Sequence, residues 1–517
     1  MPPLIAALLD AARFPHPVVG VELVETHISW VLLAGDFAYK IKKPVDLGFL
    51  DFSTLDKRRH YCEEEVRLNE RLAPGLYLDV VPIGGTPEQP AWGQGRAIEY
   101  AVRMRRFPQQ AQLDRMLDAG ELRVDHLDAF ARLIAEFHGS AAIAGAQTPF
   151  GEQATVYRPI EENFHALRGA LSSRTVLDQL DGVEAWGMDR FLALRDLLAA
   201  RKHDGFVREC HGDLHLRNLA WVDNQPLAFD CIEFDPALRW IDVMSEIAFL
   251  TMDLRARAQP AMAGRFLNRY LERTGDYAGL ALLAFYQVYR ALVRAKVDAI
   301  RLHQADISAT EQAQVEAECA RYLQLAREFG NPGSPWLVIT RGMSGSGKTT
   351  LSAGIMERLG AIRIRSDVER KRLFGLPAEQ RAGAAPGQGI YTAEAGRKTY
   401  GRLLELAGTI LDAGYPVIVD AVFAEPEQRS TFQALAADRS LPFLILEFSA
   451  SPGELRERIT GRPKGASDAG LAVLERQIAT WQALSTAEQG CLLTIDTEQP
   501  LDADRMAARI RRALRRD

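Results

Sequence analysis

The stretch GMSGSGKTT, residues 342 to 350, lies between an apolar run, WLVIT, and LSAGIMERL, which has the spacing of an amphipathic helix. A strand that passes through a glycine-rich turn into a helix, and whose turn reads GxxxxGK[ST], fixes its surroundings narrowly. Gly342, Gly345 and Gly347, with Ser344 and Ser346 between them, let backbone amides converge on phosphate oxygens. Lys348 can neutralise charge at the β and γ phosphates, and the Thr349 hydroxyl can ligate Mg²⁺. Thr350 follows in the same helical turn, where it packs or caps locally.

The segments after this loop continue the pattern. AIRIRSD, a helix from Tyr391 to Ala413, PVIVD, a helix near 427 to 437 and FLILEF alternate strand with helix, as a parallel α/β domain requires. Asp367 falls just beyond the end of its strand, where ligands gather in such sheets, and is placed to orient or deprotonate a hydroxyl acceptor. Arg370, three residues on, is placed to clamp a polar or anionic acceptor. Asp420 ends VIVD, placed either to act through metal-bound water or to cap the chain entering AVFAEPEQR. In ELRERITGRPKGASD, a candidate lid, Arg456 and Arg462 are the better candidates for transition-state charge, because guanidinium groups grip phosphoryl oxygens through more than one bond.

A second set of phosphate chemistry lies upstream. In HGDLHLRN, residues 211 to 218, Asp213 and Asn218 stand five apart, and Asp230 follows in FDCIEFD. That separation suits a carboxylate that receives an acceptor's proton and an amide that holds a metal, with Asp230 as second ligand. His211 and His215 shape the loop, since no third ligand at zinc spacing accompanies them. Lys40 and Lys42, in YKIKKP, share one face of a strand and are candidates to hold nucleotide phosphates, Lys40 ranking narrowly first. Glu64, in HYCEEEV, is the expected ion-pair partner, ahead of Glu63 and Glu65. No GxGxxG precedes the lysines, so the turn around Thr26 to Ser29 is the candidate phosphate cover.

The C-terminal segment, from about 335 to 517, resembles the small P-loop kinases, which include gluconate and shikimate kinases, polynucleotide kinases and zeta-type toxins. The segment from about 18 to 300 resembles the aminoglycoside phosphotransferase and choline kinase superfamily. There HGDLHLRN and Asp230 match the catalytic Asp, metal-binding Asn and metal-binding Asp. FDCIEFDP departs from the family's commoner form by adding Glu233 and Asp235. Each is open to two readings, a ligand for a cationic acceptor or second metal, or a salt bridge to Arg239 or another core-edge basic residue. Asp242 resembles the family's bracing aspartate. The pairing of the two segments resembles bacterial bifunctional proteins in which such a phosphotransferase-like domain is fused to a P-loop domain. The resemblance implies ATP and Mg²⁺ as cofactors and phosphoryl transfer as the reaction.

These readings predict a multidomain chain: residues 1–330 as a bilobal α+β kinase-like domain, small strand-rich lobe first, and 331–517 as an α/β P-loop kinase with a parallel sheet. GNPGSP, residues 330 to 335, is the expected junction. The length of 517 residues exceeds what one core serves. A formal charge of −6 gives no global positive field, so a nucleic-acid partner is not favoured, although a short 5′ end entering a pocket is compatible with it. The expected partner is a small hydroxyl-bearing acceptor: a sugar, nucleoside or antibiotic-like molecule. Nucleotide or nucleic-acid end phosphorylation, and nucleotide sensing through an N-terminal pseudokinase, are the alternatives. The apolar runs fall far short of the ~20 residues that span a bilayer, and five scattered cysteines lack CxxC spacing, so a cytoplasmic location with no membrane partner is expected.

Overall fold

The computed structural model describes residues 1–515 apart from 49, 304–307, 332, 379, 381–387, 462–469 and 501. They form two compact units: Met1–Asp253 with Tyr289–Leu323, and Leu254–Val288 with Gln324–Asp517.

In the first unit, β1 (Val21–Glu25), β2 (Ser29–Ala34), β3 (Phe37–Lys42), β4 (Tyr77–Gly85), β5 (Pro90–Trp92) and β6 (Glu99–Arg105) form an antiparallel sheet in the order β1-β2-β3-β6-β4-β5. The expected turn at Gly35-Asp36 joins β2 to β3, with Gly35 at φ +59° and Ala34 paired to Phe37. Trp30, Leu32, Tyr39, Ile41 and Ala101 bury one face of the sheet. The Leu55–Asn69 helix packs on β4 and β6, its start fixed by Thr54, whose hydroxyl accepts from Lys57 N.

Helices Val124–Ser140, Gln153–Ala170 and Arg174–His203 follow. Two short ribbons then carry the loops that matter: β7 (Val207–Glu209) with β10 (Trp240–Asp242), and β8 (Leu219–Val222) with β9 (Gln225–Ala228). Asp223 and Asn224 turn the second ribbon at positive φ, the conformation of a tight two-residue hairpin. The sequence reads WIDVMSEIAFLTMDL as one helix; its first three residues instead pair with β7, and the Val243–Ala256 helix begins only after Asp242 accepts a bond from Met244 N.

In the second unit, β11 (Leu337–Arg341), β12 (Ile362–Arg365), β13 (Val417–Asp420), β14 (Phe443–Ser449) and β15 (Leu492–Asp496) are all parallel, in the order β12-β13-β11-β14-β15. The strand before the glycine-rich loop is therefore central, and the order reverses beside it, where open α/β sheets bind ligands. Val338, Ile355, Ile418, Leu446, Ile495 and Ile510 are fully or almost fully buried in its core. The helix expected over 391–413 spans Ala393–Asp412, capped by Thr392. The Pro260–Thr274 helix, closed by Gly275 at φ +74°, belongs to this unit as well. No helix among the described residues is long and apolar enough to cross a membrane.

Candidate functional site

The loop from His211 to Asn218 is held at several points. Glu246, in the first turn of the Val243–Ala256 helix, accepts from His211 N at 3.1 Å and from Gly212 N at 2.8 Å, and lies 3.1 Å from His138 Nε2. Burial pushes the Glu246 carboxyl up, but His138, His211 and these bonds outweigh it and hold it at about 2. Arg290 donates to Gly212 O, and Asp253 accepts from Leu216 N. Gly212 has φ +88°, and a Cβ there would lie 2.8 Å from Leu238 O, so the turn needs glycine. His211 donates through Nε2 to Phe229 O at 2.9 Å, which is the shaping role expected of it. The ligand atoms of His138, Cys210 and Glu246 lie within 4.8 Å of one another. Both Glu246 oxygens accept from the loop's amides and one lies against His138, so the trio braces the loop as the structure stands. Asp242 braces differently, through two bonds from Arg201 at 2.7 and 2.9 Å.

Asn218 donates through Nδ2 to Asp213 Oδ2 at 2.9 Å and to Asp213 O at 3.0 Å. That leaves its carbonyl oxygen as the donor it can offer a cation. Burial raises the Asp213 carboxyl, but His215, 3.3 Å away, outweighs it and, with His211 and Arg294, holds the group well below the usual carboxylate range. It is ionised at neutral pH.

Lys40 and Lys42, two apart on β3, face the same carboxylate. It is Glu65: Lys40 Nζ lies 2.7 Å from Oε1 and Lys42 Nζ 2.7 Å from Oε2. This corrects the expectation for Glu64. One residue is about 100° of helix, and it turns Glu64 to Arg67 and Arg239 instead. Burial works against the Glu65 charge, but the two lysines hold its carboxyl at about 2. Lys40 Nζ also reaches Asp230 Oδ1 at 2.5 Å. Asp230 sits at φ +63° with its carboxylate half-exposed, its N–H donating to Tyr77 Oη. Lysine, glutamate and aspartate are thus joined through Lys40. Glu233 is buried against Lys42, and Asp235 accepts from Ala237 N. The Glu233 carboxylate thus pairs with a basic residue other than Arg239, which reaches Glu233 only at its carbonyl, at 3.1 Å, and turns its charge to Glu209 and Glu64. Thr26 makes a local turn with Ser29.

In the second unit the glycine-rich loop has the conformations its sequence requires. Gly342, Gly345 and Gly347 have φ of +153°, +88° and +80°. A Cβ on Gly342 would lie 2.6 Å from Phe448 O, so the cradle is closed to any side chain. Lys348 Nζ donates to Gly342 O and Met343 O at 2.6 and 2.9 Å, Ser346 Oγ lies 3.4 Å from it, and Ser344 N donates to Gln477. Thr349 and Thr350 are exposed in the first helical turn. Asp420, buried at the end of β13, accepts from Ser352 Oγ at 3.1 Å. Asp367 takes a bond from Arg365 at 2.7 Å, and Arg370 lies over the Tyr391 ring with Nε 3.4 Å from Thr399 Oγ1. Arg456 grips Glu475 by two bonds at the surface, an engagement the sequence did not foresee for a residue expected to meet phosphoryl charge. Arg462 lies outside the described residues.

The donor sets fit a nucleotide with its magnesium at each place: a glycine cradle, a lysine and a hydroxyl in one, and the carbonyl and carboxylate oxygens of Asn218 and Asp230 in the other. The residues missed by sequence reasoning are Glu65, which the triple Glu63-Glu64-Glu65 left ambiguous, and Glu246, which nothing local marks.

The family described as "Phosphotransferase enzyme family" matches residues 53–283, and one described as "AAA domain" matches 337–484. An uncharacterised protein of Mycobacterium tuberculosis is 33% identical over 478 residues, covering 92% of this chain and 93% of its own. Among solved structures, a choline/ethanolamine kinase family protein from Mesorhizobium loti is 15% identical, covering 62% of this chain and 98% of its own with a TM-score of 0.39. A sugar kinase from Janibacter sp. is 21% identical, covering 35% and 94% with a TM-score of 0.28.

Proposed function

The chain belongs to the family of the mycobacterial protein, a kinase-type phosphotransferase segment joined to a P-loop kinase segment, and from that premise we propose that both segments are active. Each would transfer the γ-phosphate of ATP to a hydroxyl of a small molecule, in the cytoplasm. The observation that carries this reading is the placement of Asp213: hydrogen-bonded to Asn218, 3.3 Å from His215, and carried on a loop pinned through the N–H groups of His211, Gly212 and Leu216. A degenerate scaffold has no need to keep a charged carboxylate beside a metal-binding amide.

Magnesium, when bound, would neutralise charge on the phosphates, held by Asn218 and Asp230 in the first unit and by Thr349 with Asp420 in the second. Asp213 accepts a hydrogen bond from the acceptor hydroxyl and aims its oxygen at the γ-phosphorus. The hydroxyl's proton passes to Asp213 as the hydroxyl oxygen bonds to the γ-phosphorus, the bond from that phosphorus to the bridging oxygen breaks, and ADP leaves. Lys40, fixed by Glu65, is placed to hold nucleotide phosphates. In the second unit Lys348 and the loop amides would hold phosphates, with Asp367 and Arg370 at the acceptor side.

The test is nucleotide binding by calorimetry paired with product mapping across sugars, nucleosides, aminoglycosides and 5′-hydroxyl oligonucleotides. Two binding events are expected, Lys348→Ala removing one and Asp213→Asn sparing both while blocking one product. A single event abolished by Lys348→Ala would overturn the two-site reading, and transfer only to oligonucleotides would replace the small-molecule acceptor at the second site.

A further inference from the structure

β12 is the edge of the parallel sheet, and an edge strand leaves N–H and C=O groups unpaired. The Pro260–Thr274 helix closes it within the same compact unit. Asn268 donates through Nδ2 to Ala361 O at 3.0 Å, and its Oδ1 accepts from Arg363 N at 2.7 Å. One turn further, Glu272 Oε1 accepts from Arg363 Nη2 at 3.0 Å. This helix lies inside residues 53–283, the stretch matched to the phosphotransferase family, and not in the P-loop match.

The other end of the Arg363 guanidinium reaches the phosphate loop's helix. Nη1 donates to Thr349 O at 2.9 Å and to Ser352 Oγ at 3.1 Å, and lies 3.8 Å from Asp420 Oδ2. One buried cation therefore stands between two buried carboxylates, Glu272 and Asp420, and is hydrogen-bonded only to the first. Burial pushes the Glu272 carboxyl up, but Arg363, Arg365 and Arg269 outweigh it and keep it ionised. A guanidinium released from Glu272 has its nearest alternative in Asp420, and a carboxylate gripped by arginine is lost as a cation ligand.

We infer that Glu272 is a positioning residue of the P-loop site: by holding Arg363 it keeps the charge of Asp420 for the magnesium that accompanies the nucleotide. The site then draws part of its support from the phosphotransferase segment. The inference rests on the reading of Asp420 as a carboxylate that acts through metal-bound water.

The experiment is ATP titration of the full chain by calorimetry at a series of Mg²⁺ concentrations, the P-loop event being the binding that Lys348→Ala removes. Glu272→Gln is expected to raise the Mg²⁺ midpoint of that event about tenfold, the usual cost of losing a partner behind a metal ligand, with the other event unmoved. Glu272→Asp, whose shorter arm lets Arg363 shift toward Asp420, should give a smaller rise in the same direction and serves if the glutamine variant fails to fold. In an Arg363→Met background, Glu272→Gln should add no further shift. An unchanged midpoint, or a shift that persists in that background, overturns the role of Glu272 alone. Absence of any Lys348-dependent event in the unmodified protein overturns the nucleotide reading beneath it.

Discussion

Lys40 and Lys42 both depend on one carboxylate, Glu65, and its neighbour Glu64 makes a sharp contrast with it. Glu65 is fully buried, and its loss leaves two inward lysines with Asp230 and Glu233 as their remaining counter-charges. Glu65→Gln is expected to cost about 3–5 kcal/mol of stability in the first unit, the cost of breaking a buried pair, and to abolish nucleotide binding there. Glu64→Gln, whose partners Arg67 and Arg239 also hold Glu209, should cost under about 1 kcal/mol. Chemical denaturation of both variants, with ATP titration, checks the pair. The sequence pointed to a glutamate on this helix as the partner of a strand lysine, but three adjacent glutamates differ only in helical phase, and the phase is set by Cys62, Val66 and Leu68 packing or buried in the core. Arg456 was illegible for a related reason: its partner Glu475 lies 19 residues away on another helix.

The Val243–Ala256 helix works as a clamp on the Asp213 loop through Glu246. The folded carboxyl sits at about 2 against 4.5 unperturbed. A carboxylate depressed on folding stabilises fully above its unfolded value and loses that contribution as pH falls through the folded value. The groups facing it are His138, His211 and Cys210. Glu246→Gln should therefore lower stability by on the order of 3 kcal/mol above pH ~5, with the difference from the unmodified protein vanishing as pH falls toward about 2. Urea unfolding across that range checks it, and a gap that widens on acidification contradicts the clamp. The α/β alternation and the strand-rich start were legible because their periods and turn residues are local. The helices over 153–203 were legible only as helical character: one contains Pro159 and the other Gly182 and Gly187, which blur the ends a reader looks for. Strand β10 was misread because Trp240–Asp242 is extended by its pairing with β7, a contact no local pattern announces.

At the scale of the chain, the junction expected at 330–335 separates the two family matches but does not separate the two compact units, since Leu254–Val288 groups with the P-loop sheet. The consequence is testable by cutting there. A fragment of residues 331–517 keeps every strand of the parallel sheet, yet loses Asn268 from the β12 edge and the Glu272 partner of Arg363. Water can replace the bonds to Ala361 O and Arg363 N, so the edge itself costs little. The guanidinium is different, because it lies between Thr349 O, Ser352 and Asp420, and without Glu272 its nearest counter-charge is Asp420. The departing helix also packs on the Lys348–Leu359 helix and on β12, so apolar cover goes with it. Losing that cover and one buried ion pair is worth several kcal/mol, which for a sheet domain of this size lowers the melting temperature by roughly 10 °C. The fragment is therefore expected to melt well below the second unit's transition in the full chain and to need more Mg²⁺ for a given ATP occupancy. Differential scanning calorimetry beside ATP titration measures both. A fragment that melts where the intact unit does, with the same Mg²⁺ midpoint, would show that the helix is a passenger and that the junction at 330 is a true boundary of stability.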